Sequence, residues 1–151
     1  MSNDYFKQGT YKPINPKKYI GKELPKYRSS WELKLFLWLD QNINVLEWCS
    51  EGVVIPYMCP TDGKLHRYYT DCAVVIKEGP TTHTKYIIEV KPKKQTEPPT
   101  VSKKKKKETI IYESLTWTKN QAKWKAAKEW CSKHGYKFLI LTEEHLFQTS
   151  K

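Results

Sequence analysis

Two short β-branched runs constrain this chain more than any other feature. Ala73-Val74-Val75-Ile76 and Tyr86-Ile87-Ile88 stand either side of a Gly79-Pro80 break, the pattern of two buried strands joined by a turn. With their flanks they predict one strand from Leu65 to about Lys77 and another from Lys85 to Lys91, paired antiparallel. Both carry charge at one end: Asp71 precedes the first run, and Glu89-Val90-Lys91 closes the second. Alternate residues of a strand share a face, so Glu89 and Lys91 project together while Val90 points into the core.

The rest of the chain fits around this pair. Ser29-Ser30-Trp31-Glu32 opens a helix, with Ser29 suited to the N-cap and Glu32 three residues later as in a capping box. This helix runs to about Asp40, and strands follow around Val45–Cys49 and Gly52–Tyr57. Pro60-Thr61-Asp62-Gly63 reads as a turn. A second helix is predicted over Leu115–His134, with Trp117, Trp124, Ala127 and Cys131 on one stripe and Gly135 as its stop. A strand at Lys137–Leu141 and a short helical tail at Glu143–Phe147 complete the order. Helix, strand meander, helix, strand is an α/β arrangement, one mixed sheet flanked by helices. Residues 1–26 form a basic, proline-bearing arm that Tyr5, Phe6, Tyr11 and Tyr19 would pin onto the domain, which occupies 27–151. Within that domain, residues 92–114 carry three prolines and the run Lys103–Lys107, and read as a mobile basic loop.

At 151 residues the chain makes one domain, which buries roughly 68–70% of its unfolded surface. Six Trp and ten Tyr supply a real core rather than a disordered segment. The net charge of +11 favours a polyanionic partner, most simply nucleic acid. No apolar run approaches the ~18 residues of a spanning helix, so no membrane is expected. The polar N-terminus shows no signal peptide. Cys49, Cys59, Cys72 and Cys131 have no paired metal-ligand spacing. Cys59 and His66 would make half a zinc site with no second pair, and reduced thiols are the plain reading.

Two carboxylates converging from neighbouring strands can hold a divalent cation, and a lysine beside them can orient or activate a water. Those are the parts of metal-assisted phosphodiester hydrolysis. Mg²⁺ prefers one or two carboxylates and keeps several waters. Asp71 and Glu89 would supply the carboxylates, the Val90 carbonyl a third ligand, and Lys91 would face the water. The alternative is a same-face ion pair of Glu89 and Lys91 on an exposed strand, with Asp71 a solvated edge residue.

Thr70-Asp71 followed by Glu89-Val90-Lys91 resembles the PD-(D/E)XK nuclease superfamily, with threonine in place of the proline of the motif. That resemblance implies a restriction-endonuclease-like core of order α-β-β-β-α-β, and hydrolysis of DNA with Mg²⁺, for which Mn²⁺ substitutes. Arg28-Ser29-Ser30-Trp31-Glu32 resembles the first-helix motif of the TnsA-like branch, in which the helix glutamate joins the metal cluster. Glu32 is thus the candidate third acid, against the alternative that it only caps the helix. Gly9-Thr10-Tyr11-Lys12-Pro13, Asn15-Pro16-Lys17-Lys18-Tyr19 and Asn120-Gln121-Ala122-Lys123-Trp124 are similar to the head completion nucleases of T-even-type phages. This implies action on packaged double-stranded DNA or at the head vertex before tail joining. Phage head or portal vertex proteins would be partners, and the host cytoplasm during assembly, or the virion, the location. No small-molecule cofactor is implied.

The superfamily often carries a polar or basic residue on the helix after the motif strand. Gln121 is the first candidate here and Lys123 the second, against a solvated helix face for each. Lys93, Lys94, Lys103, Lys104, Lys105, Lys106 and Lys107 are candidates for sequence-independent phosphate contact, the alternative being a solvated charge run. Two other functions fit the same fold: a non-catalytic vertex-assembly or DNA-binding protein, and a junction resolvase or restriction-type endonuclease.

Overall fold

A computed structural model describes residues 8–147. The main sheet has four strands: β3 (Val45–Ser50), β6 (Cys72–Lys77), β7 (His83–Val90) and β8 (Tyr136–Leu141), adjacent in that order. The first three pair antiparallel, and β7 and β8 run parallel. A parallel neighbour needs a crossover, which helix α2 (Lys107–His134) provides. Helix α1 (Ser30–Gln41) precedes β3, and α3 (Glu143–Leu146) follows β8. The hairpin β4 (Val54–Cys59) and β5 (Lys64–Tyr69) forms its own two-stranded sheet. With that hairpin and the short elements at either end of the chain set aside, the order is α-β-β-β-α-β, the mixed restriction-endonuclease-like arrangement expected.

Strand alternation divides the core into two layers. Cys72, Val74, Ile88 and Val90 face α1, where they join Leu35, Phe36, Leu39 and Trp48. Ala73 and Ile87 face the other way, onto Cys131 of α2. The inner face of the hairpin, Ile55, Tyr57, Cys59 and Tyr68, packs on Ala127 of the same helix. The buried α2 positions Asn120, Trp124, Ala127 and Cys131 repeat at three and four residues, as one helix face must. Gly135 ends the helix in the left-handed region at φ 74°, a conformation only glycine adopts without strain. No described helix is long and apolar enough to cross a membrane.

The described part of the N-terminal arm, which contains β1 (Gly9–Thr10) and β2 (Lys26–Tyr27) as an antiparallel pair, packs on α1 through Asp40. That carboxylate is fully buried. It accepts from the Tyr11 hydroxyl, from the Ile14 N–H at 2.7 Å and from the Asn15 N–H at 2.9 Å. Burial would raise the pKa of Asp40, but these donors outweigh it and hold the group below the ordinary carboxylate value. Tyr19 packs edge-on against Trp48 at 4.8 Å between ring centres. Tyr5 and Phe6, the other expected anchors, lie outside the described residues.

Two element boundaries depart from expectation. The single strand expected over Leu65–Lys77 is two strands, β5 and β6, in different sheets. Thr70 makes the break. It is fully buried, and both its N–H, at 3.2 Å, and its hydroxyl, at 2.9 Å, donate to the Val53 carbonyl. The chain therefore leaves the hairpin there and enters the main sheet at Cys72. Helix α2 also starts at Lys107 rather than Leu115, so residues 107–114 are helical rather than loop. Lysine is a good helix former, and no proline or glycine follows Pro99 until Gly135. Glu108 sits in the first turn, where a negative charge meets the positive end of the helix dipole. Ahead of it, Lys93–Thr96 forms a single 3₁₀ turn.

Candidate active site

The register of the main sheet brings the motif acids together. Cys72 pairs with Ile88 where the β6–β7 ladder ends, so Asp71, immediately before β6, and Glu89, in β7, stand one step beyond that pair. The N–H of Val90 donates to Asp71 Oδ2 at 2.7 Å, which fixes that carboxylate at the edge of the cleft it lines. Glu89 is only 5% exposed, so its charge needs partners. It has two: the Tyr68 hydroxyl donates to Oε1 at 2.6 Å, and Lys91 Nζ lies 3.3 Å from Oε2.

Helix α1 contributes from the other side. Glu32 receives the N–H of Arg28 at 3.3 Å, and its own N–H donates to Ser29 Oγ at 3.2 Å. The capping contact and proximity to the acids therefore coexist. Burial raises the pKa of Glu32, the Arg28 N–H and guanidinium oppose this, and the charges of Glu51 and Glu89 add to the rise. Asp71 is driven well above its ordinary value, first by burial and then by Glu89 and Glu32, against the pull of the Val90 N–H and Lys91. Three carboxylates thus crowd a desolvated corner. An all-oxygen donor set of this kind suits a hard divalent cation, which would relieve the repulsion.

The cleft above these acids has a volume of about 400 Å³ and is lined by Arg28, Glu51, Arg67, Tyr68, Tyr69, Asp71, Glu89, Lys91 and Lys123. A larger cavity of about 750 Å³ lies between residues 20–26 and the outer part of the sheet. It does not contain the converging acids, so the smaller cleft is the chemical one.

The family described as TnsA-like endonuclease N terminal matches residues 42–143 of this sequence. The chain belongs to this TnsA-like endonuclease family. It is also 43% identical, over 147 residues, to the head completion nuclease of Enterobacteria phage T4, a match covering 91% of this chain and 92% of that protein.

In this TnsA-like domain the expected site residues separate into two groups. Asp71, Glu89 and Lys91 line one cleft with Lys123, and Glu32 acts electrostatically on Asp71. Lys123 comes from α2, half-buried, with its ammonium 5.6 Å from the centre of the Tyr68 ring. Burial and then the Lys91 charge lower its pKa, and Glu89 opposes them. Gln121, ranked ahead of Lys123 from the sequence, is exposed and does not line the cleft. The two residues are 200° apart around a helix of 3.6 residues per turn, so only one can face the acids. Of Val90, it is the N–H that touches Asp71.

The basic candidates stand outside the cleft. Lys93 pairs with Glu144 at 2.6 Å, and Lys94 lines a separate groove under the 94–100 segment. Lys105 pairs with Glu113 at 2.8 Å. Lys103, Lys104, Lys106 and Lys107 are exposed.

Sequence reasoning missed Tyr68, Arg67, Tyr69 and Glu51. The first three fall within four residues ahead of Asp71, so their place on the strand leading to the site was a usable signal. Glu51 gave none. It holds a left-handed backbone at φ 55°, uncommon for a residue with a side chain. Its N–H donates to the Asp71 carbonyl at 3.3 Å. Its carboxylate accepts from Arg28 Nη2 at 2.9 Å and Nε at 3.1 Å. This unfavourable backbone, directly behind Asp71, belongs to the group found at functional sites.

Proposed function

We propose that this protein is a Mg²⁺-dependent DNA nuclease acting in phage head completion, with Asp71, Glu89 and Lys91 at its centre. The observation that carries this reading is the placement of Asp71 beside Glu89 with Lys91 on the same face, inside a TnsA-like fold. Asp71 and Glu89 would hold the cation, with the Val90 carbonyl as a further ligand and Glu32 completing the acidic cluster. The cation supplies positive charge against the phosphoryl oxygens and a more acidic bound water.

The protein's own groups have distinct tasks. Tyr68 fixes the orientation of Glu89 from behind. Lys91 positions the attacking water, since its ammonium shares the face of Glu89. Lys123 approaches from α2 and faces the phosphate undergoing attack, where a fixed positive charge meets developing negative charge. Lys93, Lys94 and the lysines at 103–107 contact the DNA backbone further out, in a sequence-independent and salt-sensitive manner. The substrate is double-stranded DNA, processed as it is packaged or at the vertex, in the host during assembly or in the virion. Portal or other vertex proteins direct the enzyme there. Unassisted activity is weak, because an unregulated nuclease would destroy replicating DNA. Mn²⁺ replaces Mg²⁺.

The test compares wild type with Glu89→Gln and Asp71→Asn on supercoiled and linear DNA, each with Mg²⁺, Mn²⁺ or EDTA. Metal-dependent cutting by wild type alone is the expected result. Cutting that survives either substitution in a contaminant-free preparation refutes the site. Equal DNA binding by all three proteins with no cutting under any condition would transfer the function to a non-catalytic vertex role. Preference for branched substrates by a dimer would instead indicate a junction resolvase.

A further inference from the structure

The tip of the β4–β5 hairpin gathers three metal-ligating side chains far from the acids of the cleft. Cys59 ends β4, Asp62 lies in the connecting turn, and His66 is the third residue of β5. The register pairs Cys59 with Lys64 and Tyr57 with His66. Cys59 and His66 are therefore diagonal neighbours on one face of the ribbon, close enough for side chains to meet. The turn folds Asp62 back over them: Gly63 takes φ 69° and its N–H donates to the Cys59 carbonyl at 2.8 Å. The ligand atoms of Cys59, Asp62 and His66 all lie within 4.8 Å of one another, the one such group among the described residues.

From this geometry we propose that the hairpin tip binds one Zn²⁺ through Cys59 Sγ, Asp62 Oδ2 and His66 Nε2, with the fourth position open to water. A thiolate, an imidazole and a carboxylate form a mixed donor set suited to zinc and unlike the all-oxygen corner at Asp71. Zinc–ligand lengths of about 2.0–2.3 Å place tetrahedral donors roughly 3.3–3.6 Å apart. His66 Nε2 and Asp62 Oδ2 are now 2.7 Å apart, so they must separate by about half an ångström. Both side chains are about 40% exposed and free to do so. Asp62 is already oriented, because its other oxygen accepts the Lys64 N–H at 2.9 Å. Such outer contacts commonly steady ligating carboxylates. Cys59 Sγ is buried and lies 3.1 Å from Thr61 Oγ1.

The site is separate from the nuclease cleft, since Cys59, Asp62 and His66 do not line it, and its test does not depend on cleavage. The full chain is stripped with EDTA, desalted and titrated with Zn²⁺ against a chromophoric chelator, then with Co²⁺ under reducing conditions. One tightly held Zn²⁺ per chain is expected, and its Co²⁺ form should show a thiolate-to-cobalt charge-transfer band in the near ultraviolet. Cys59→Ser should abolish the band. His66→Gln should weaken Zn²⁺ by more than tenfold, since losing even an outer-sphere partner costs about 10–100-fold. Should Cys59→Ser fail to fold, His66→Gln and Asp62→Asn decide, because both positions are partly solvent-exposed. No band and no Zn²⁺ uptake by wild type overturns the proposal, as does full affinity in His66→Gln. In either case Asp62 and His66 are only a hydrogen-bonded clip.

Discussion

Removing a single oxygen tests whether the hairpin holds Glu89, the proposed metal-binding glutamate, in place. Tyr68 is almost wholly buried, and its hydroxyl donates to Glu89 Oε1 at 2.6 Å. Tyr68→Phe keeps the ring, its packing on Ala127 and its place under the Lys123 ammonium. Only the donor is lost. A hydrogen bond to a charged group contributes about 1.5–3 kcal/mol, so unfolding in EDTA should become easier by roughly that amount. The metal response should change as well. Outer partners of a ligating carboxylate contribute about 10–100-fold in metal affinity, so the Mg²⁺ concentration giving half-maximal cleavage should rise by about that factor. At saturating Mg²⁺ the turnover should recover most of its wild-type value, because the cation then holds Glu89 itself. The assays are urea denaturation and cleavage of linear DNA over a Mg²⁺ series. A double-mutant cycle with Glu89→Gln isolates the pair: contacting residues couple by about 0.5–3 kcal/mol. Strict additivity in stability, with an unchanged Mg²⁺ midpoint, would refute the argument that Tyr68 positions Glu89.

Asp71→Asn should abolish cutting yet stabilise the metal-free fold. The pKa of Asp71 is raised by burial and by its acidic neighbours, so its ionised form weakens the fold at neutral pH, and that penalty fades as pH falls through the raised value. A melting point in EDTA higher by a few degrees is expected, at about 2–4 °C per kcal/mol for a chain near this size; a lower one refutes the crowding argument. Lys123→Gln should lower single-turnover cleavage by about 100-fold or more, the usual loss for one preorganised charge partner, while Gln121→Ala stays near wild type. The reverse ranking would place the wrong face of α2 over the acids. Asp40→Asn should loosen the arm, seen as faster amide exchange at Ile14 and Asn15, and should cost about 1.5–3 kcal/mol for each weakened charge-assisted bond. Because Asp40 is held below the ordinary carboxylate value, its contribution is present above the unfolded value and is lost only as pH falls through the depressed one. Wild type and Asp40→Asn should therefore converge in stability at strongly acidic pH.

The parts of this molecule that were legible in its sequence are those set by local periodicity. The apolar runs at 73–76 and 86–88 fixed β6, β7 and their antiparallel pairing, and from the pairing came the meeting of Asp71 with Glu89. Ser29, Glu32 and Gly135 marked helix ends because capping is decided within a few residues. What was not legible depends on contacts distant in sequence. The strand over Leu65–Lys77 looked continuous because no glycine or proline interrupts it, and only the pairing of Thr70 with Val53 divides it between two sheets. The choice of Lys123 over Gln121 is a matter of how α2 is rotated on the hairpin, and that rotation is set by Ala127 and Cys131 packing against different layers. Glu51 entered the site through one unusual backbone angle, for which the sequence has no mark.

The same division explains why the cleft is built as it is. Its acids come from the residue before β6, from β7, from α1 and, in Glu51, from the loop after β3. Its cations come from Lys91 just after β7, from α2, from β5 and from Arg28 ahead of α1, and its positioning hydroxyl from β5. Each layer of the core therefore contributes to one corner, and the repulsion among Glu32, Asp71 and Glu89 is held in check by the packing of all of them. A cation that binds there gains affinity from relieving that repulsion, and by linkage it must stabilise the fold in the same measure. Mg²⁺ should accordingly raise the melting point of wild type and leave Asp71→Asn almost unmoved. A shift of equal size in both proteins would mean that the stabilising metal sits elsewhere.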